Sequence, residues 1–152
     1  MIQLFRRILC PIDFSEHSLA ALEVALKVVQ QNDAKLYLLN VAPVPAGAVG
    51  FQPIPMDPYP YLEKDCREHL EKLARDWIPA NMRNETLVIS GDPAERVLET
   101  AQGLDADLIV MGTHGRKVLS HLILGSVAER VVRESPTPVL TAHSKERVRK
   151  AA

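Results

Sequence analysis

Gly112, Gly115, Gly125 and Ser126 form the pattern G-x-x-G, nine residues, then G-S, in a chain with only 7 glycines. Glycine has no Cβ, so a backbone carrying it can take a positive φ and let a ligand come close. A Gly-Ser pair at the start of a helix presents main-chain amides and a hydroxyl where the helix dipole favours an anion. The chemistry these residue types offer is a cradle for two or more phosphate groups. Each half also has a plainer use, Gly112 and Gly115 as a tight turn and Ser126 as a helix cap. Their conjunction after an apolar run is what points to phosphate. No G-x-G-x-x-G follows a strand-like run and no G-x-x-x-x-G-K-[ST] occurs, so dinucleotide dehydrogenases and Walker-type ATPases lose support.

A second polar cluster, Pro11-Ile12-Asp13-Phe14-Ser15, follows the first apolar run. Asp13 has the acceptors to bind a base amino group or ribose hydroxyls, but taken alone a carboxylate at this junction is better read as a cap for the next helix. His114 lies between Gly112 and Gly115 and has the chemistry of a general base. A histidine in such a turn is read here as solvated or bonded to backbone. With Arg116, Lys117 and Ser126 nearby in sequence but no pair of carboxylates to hold a catalytic metal, binding is favoured over phosphoryl transfer. The five histidines and two cysteines show no zinc-ligand spacing.

The elements that must position these residues are legible in the hydrophobic pattern. Apolar runs at Ile8 to Ile12, Leu36 to Val41, Leu87 to Ile89, Leu108 to Met111 and Val139 to Ala142 fit strands covered on both faces. Four helical patterns separate them. The first, after Asp13 and Ser15 as candidate caps, places Leu19, Leu22, Leu26 and Val29 on one face. The second, from about Tyr61, carries Leu62, Cys66, Leu70, Leu73 and Trp77 toward the core. The third opens with Asp92-Pro93 and a box-like Glu95. The fourth starts near Gly125-Ser126. Alternation of this kind predicts a single doubly wound α/β domain with a five-stranded parallel sheet and helices on both faces. In such sheets ligands collect at the carboxyl ends of the strands, where the strand order reverses.

Pro43 to Pro60 holds six of the 11 prolines and reads as a loop, either a binding flap or a surface insertion. Residues 144–152 read as a basic, solvated tail. A formal charge of −1 supplies no global field for a polyanion, which argues against nucleic acid as a partner. No run reaches the ~20 apolar residues of a membrane helix, and no secretory leader pattern opens the chain. With two cysteines, one inside an apolar run, a reducing cytoplasm is expected.

Taken together, ILCPIDFSEHS, ADLIVMGTHGR and the Gly125-Ser126 segment followed by VAERVVRESPTPVL resemble the universal stress proteins, in particular the subgroup that binds ATP. The resemblance runs from Arg7 to Thr141. It implies a strand order of 3-2-1-4-5 and a nucleotide at the point between strands one and four. Adenosine would then lie near Pro11, Ile12, Asp13, Val41, Met111 and Gly112, with His114 at the turn. The phosphates would meet Gly115, Arg116, Gly125, Ser126 and Val127. It also implies a homodimer paired through the last strand, 139–142, whose polar end departs from the family's usual pattern.

The function expected is an ATP-binding regulatory module, with Mg or Mn held through the phosphates, in which nucleotide orders residues 113–124 and changes the surface shown to a protein partner. Two alternatives stay open. One is a slow ATPase or a nucleotidyl- or phosphotransferase, and the other is a structural dimer or interaction protein that binds no nucleotide.

Overall fold

The computed structural model describes residues 3–44, 59–115 and 124–144. Most of the Pro-rich segment, the stretch from Arg116 to Ile123 and the basic tail lie outside them. In chain order the elements are β1 (Arg7–Pro11), α1 (Glu16–Asn32), β2 (Lys35–Ala42), α2 (Tyr59–Trp77), β3 (Asn84–Ser90), α3 (Pro93–Gly103), β4 (Leu108–Gly112), α4 (Ser126–Glu134) and β5 (Val139–Ala142). The five strands form one parallel sheet in the order β3-β2-β1-β4-β5.

The sheet separates two hydrophobic cores. Strand side chains alternate between faces. Ile8 and Cys10 of β1 enter one core with α1 and α2, while Leu9 enters the other with α3 and α4. Ile8, Leu9 and Cys10 are all fully buried, as a central strand covered on both sides requires. That burial also pushes the Cys10 thiol far above its usual range, so it behaves as a small hydrophobe.

Local chemistry sets the helix ends. Of the two candidate caps before α1, Ser15 does the capping, its side chain accepting from the Ser18 amide at 3.2 Å. Asp13 lies one step back and accepts from the Ser15 amide at 2.9 Å. Asp92 caps α3 by accepting from the Glu95 amide at 2.9 Å, and Pro93 occupies the first turn, where its missing N–H costs nothing.

Three sequence expectations shift. Helical spacing points Trp77 into the core, but it is 36% exposed and Ile78, the next residue, is buried. The face that packs inward runs Leu70, Ala74, Ile78, at spacings of four, so a continuation through Leu73 to Trp77 rotates outward. In α1 the buried stripe is Ala21, Leu22, Ala25 and Val29, with Leu19 and Leu26 only half-buried. Finally, β3 begins at Asn84 rather than Leu87. Main-chain pairing of Asn84 and Glu85 with Leu36 and Tyr37 extends this edge strand through residues whose side chains reach solvent, where Glu85 meets Lys35 at 2.7 Å.

Candidate functional site at the carboxyl edge of β1 and β4

The chain steps from β1 to β2 and β3 on one side, then crosses to β4 and β5 on the other. The reversal therefore falls between β1 and β4. Loops leaving neighbouring strands in opposite directions open a crevice at that edge.

On the β1 side, Pro11 ends the strand and the Ile12 amide still donates to the Leu39 carbonyl at 2.8 Å. Asp13 and Phe14 then turn the chain into α1. Phe14 takes φ 64, the left-handed region that a bulky residue enters at a cost of roughly 1–2 kcal/mol. Its ring packs edge-on to His69 of α2, with centroids 6.1 Å apart. On the β4 side, Met111 is buried in the core and Gly112 ends the strand. The Thr113 amide donates to the Ala142 carbonyl of β5 at 2.8 Å, and the Thr113 carbonyl accepts from the Gly125 amide at 2.6 Å. One residue thus ties the end of β4 to the end of β5 and to the start of α4.

The glycines do not work through positive φ. Among the described glycines only Gly91 has one, at φ 141, and Gly125 sits at φ −67. What they provide is closeness between protein segments. A Cβ on Gly112 would lie 2.7 Å from the His17 carbonyl carbon and 2.9 Å from both its Cβ and its oxygen, so α1 rests directly on the end of β4. A Cβ on Gly115 would meet Asp13 Oδ2 at 2.8 Å, which brings the two polar loops together across the crevice. At Gly125 the nearest atoms would be His114 Cα at 3.2 Å and Thr113 O at 3.3 Å.

His114, read from the sequence as solvated or backbone-bonded, is instead buried. Its Nδ1 lies 3.1 Å from Thr113 Oγ1, and its ring lies 5.4 Å, centroid to centroid, from that of buried His17. His17 Nδ1 accepts from the Ser144 amide at 3.1 Å. The dense packing around Gly112 closes this corner to water.

Gly125 is the N-cap residue of α4 and offers no side-chain cap. Ser126 is exposed to solvent at its side, and Val127 is half-buried against the second core. The first amides of a helix have no intrahelical partners; among the described residues no side chain caps those of α4, whereas Ser15 and Asp92 each accept from one such amide in α1 and α3. Val41, half-buried near the end of β2, lies next to the β1 turn. Arg116 lies outside the described residues. Among those residues no three His, Cys, Asp or Glu side chains are placed to hold a metal ion. No described helix is long and apolar enough to cross a membrane.

A cavity of about 540 Å³ lies elsewhere, between α3 and α4, with Leu98, Ala101 and Ala106 among its apolar lining and Glu95, Glu99 and Glu134 among its charged groups. None of the crevice residues borders it.

Sequence reasoning missed His17, Thr113 and Asn40. Asn40 is 5% exposed, and its Nδ2 donates to the Ile12 carbonyl at 2.7 Å. A signal exists in the sequence, since Asn40 is the one amide in a run of apolar β2 residues.

A five-stranded parallel sheet in this order, with helices on both faces, defines a doubly wound α/β protein. The universal stress protein family model matches residues 4–143, and the chain belongs to that family. A universal stress protein of Thermus aquaticus, encoded in a QAH/OAS sulfhydrylase 3' region, is 34% identical over 148 residues, covering 90% of this chain and 98% of the relative. Among solved structures, hypothetical protein MJ0577 is 25% identical with a TM-score of 0.80, covering 93% of this chain and 98% of its own. Two structures share the fold at lower identity. A universal stress protein in complex with cAMP is 23% identical with a TM-score of 0.61, covering 93% of this chain and 99% of its own. One from Archaeoglobus fulgidus in complex with dAMP is 18% identical with a TM-score of 0.66, covering 91% and 98%.

Proposed function

We propose that this chain is an ATP-binding regulatory protein of the stress response, in which the crevice between β1 and β4 holds the nucleotide and occupancy changes the surface offered to a protein partner. The observation that carries this reading is the N-terminus of α4. Among the described residues no side chain caps its amides, Ser126 stands beside them with its side open to solvent, and the Gly125–Thr113 bond holds the helix start at the carboxyl edge of β4. Such a terminus suits a phosphate.

Gly115, Arg116, Gly125, Ser126 and Val127 are assigned to the phosphates. Pro11, Ile12, Asp13, Val41 and Met111 are assigned to adenosine, with Gly112 and His114 supporting the turn from below. The nucleotide would supply negative charge at α4, and a Mg or Mn ion would be held through its phosphates. That two family structures of this fold are complexes with adenine mononucleotides supports the base assignment. On this reading the protein works in the cytoplasm. It pairs as a homodimer along the outer edge of β5, where Leu140 is exposed.

Calorimetric titration with ATP and magnesium tests the reading. Wild type should bind, and Ser126→Ala should weaken binding about 10- to 100-fold, the worth of a hydrogen bond to a charged group. Gly115→Val should weaken it further by pressing on Asp13. No binding by wild type at millimolar ATP would overturn the assignment. Steady ATP turnover that disappears in His114→Ala would replace it with an enzymatic one.

A further inference from the structure

We propose that Asn40 is a positioning residue that ends the β1–β2 ladder one rung early, leaving the Val41 amide as a donor for bound ligand. The inference deepens the reading above, because it rests on adenosine lying at the ends of β1 and β2.

The ladder's alternation can be followed bond by bond. The Lys35 amide donates to the Arg6 carbonyl, and the Ile12 amide donates to the Leu39 carbonyl. The Leu36 amide donates the other way, to Arg83 at the start of β3. Odd-numbered amides of β2 therefore point to β1 and even-numbered ones to β3. At the same offset as Lys35 and Arg6, the next rung would run from the Val41 amide to the Ile12 carbonyl. That rung is absent. The Ile12 carbonyl accepts instead from Asn40 Nδ2 at 2.7 Å, and the paired register stops at Pro11 with Leu39. Among the described residues no acceptor takes the Val41 amide.

The orientation of the Asn40 amide is set by its partner. A carbonyl only accepts, so Nδ2 must face Ile12 and Oδ1 must face away. Oδ1 is buried and has no hydrogen-bond partner among the described residues. Packing alone would favour leucine here, because Leu36 and Leu38 fill the preceding positions on the same face of β2 without exposure. An amide that leaves one buried acceptor unfilled while removing a ladder bond is costly for stability. Its local effect is to hold the turn carrying Asp13 by a side chain rather than by the main chain. The Val41 N–H is then directed into the mouth of the crevice, where a ring nitrogen of a nucleobase can accept from it.

Amide hydrogen exchange on wild type and Asn40→Leu, with titrations of AMP, ADP and ATP, tests this. In free wild type the Val41 amide should exchange on the order of 100-fold faster than that of Leu39, which sits inside the ladder, and AMP should slow it. In Asn40→Leu the freed Ile12 carbonyl should take the missing rung and protect Val41. AMP, ADP and ATP should all weaken by the same factor, about fivefold for one neutral hydrogen bond. Ser126→Ala should weaken ATP more than AMP.

The proposal is overturned if Val41 is as protected as Leu39 in free wild type. It is also overturned if the three affinities are unchanged in Asn40→Leu, or if affinity falls without new protection at Val41, which would give Asn40 a purely structural role. If Asn40→Leu does not fold, exchange at Val41 in wild type with and without AMP decides. Should wild type bind none of the three nucleotides, the function proposed above fails, while exchange at Val41 still tests the shortened ladder.

Discussion

Two glycines separated by only nine positions in sequence, Gly103 and Gly112, should respond oppositely to the same added methyl group. In Gly112→Ala the new Cβ would sit 2.7 Å from a backbone carbon of His17 and 2.9 Å from its backbone oxygen. A carbon–carbon contact is comfortable at about 3.5–4.0 Å, so α1 and β4 must part by most of an ångström. Both are fixed: α1 buries Ala21, Leu22 and Ala25 in the core it shares with Val110 of β4. Overpacking of this kind costs roughly 1–3 kcal/mol, and backbone neighbours place this site at the upper end. For a chain of this size the melting temperature should fall by about 5–12 °C. Gly103, the last residue of α3, has no positive φ, and a Cβ added there would meet nothing within 4 Å. Gly103→Ala should gain roughly 0.5 kcal/mol from helix propensity and lower chain entropy. Urea denaturation of wild type and both variants, fitted with a common m-value, measures the two differences. Equal stability of Gly112→Ala and wild type would refute the claim that this glycine is required by helix–strand contact. The tight-turn reading would then regain the position.

Further predictions rest on single contacts. Asp92→Ala removes both the α3 cap and the 2.9 Å ion pair with Arg130. It should cost about 1–2 kcal/mol in chemical denaturation, nearly all from the cap, because the exposed pair is worth little. Burial holds the Cys10 thiol neutral in the folded protein at pH values where the unfolded chain ionises it. Above the unfolded pKa of about 8.5 the native state therefore binds more protons, and stability should fall with rising pH by up to ~1.4 kcal/mol per unit from this group. Cys10→Val should flatten that alkaline slope, measured by urea titration between about pH 8 and 10.5. Asp33 ends α1 at φ 49, so Asp33→Gly should raise the melting temperature by roughly 2–4 °C, equivalent to about 1 kcal/mol of relieved backbone strain. Arg83 loses little in that variant, because its 2.6 Å bond goes to the Asp33 carbonyl.

The architecture was legible along the chain because its signals are local and repeated. Apolar runs of strand length, each followed by a helix-period pattern, leave a parallel sheet as the economical way to bury both faces, and Ser15, Asp92 and Pro93 mark helix starts by their own side-chain chemistry. The residues at the carboxyl edge were legible too, since Asp13 and Gly115 follow closely on the ends of β1 and β4 and Gly125-Ser126 opens the next helix. How those residues act on one another emerged only with the folded chain. Spacing cannot show that the missing Cβ of Gly112 makes room for the backbone of His17, or that of Gly115 for the Asp13 carboxylate, because these contacts join segments about a hundred residues apart. Nor can periodicity choose between Trp77 and Ile78, which lie on adjacent faces of the same turn until a sheet selects one. His114 shows the same limit: a turn looks solvated in sequence, and only the packing of α1 over the end of β4 buries it. Features set by neighbours along the chain could be read in advance, whereas those set by neighbours across the sheet depend on distances that exist only once the strands have paired.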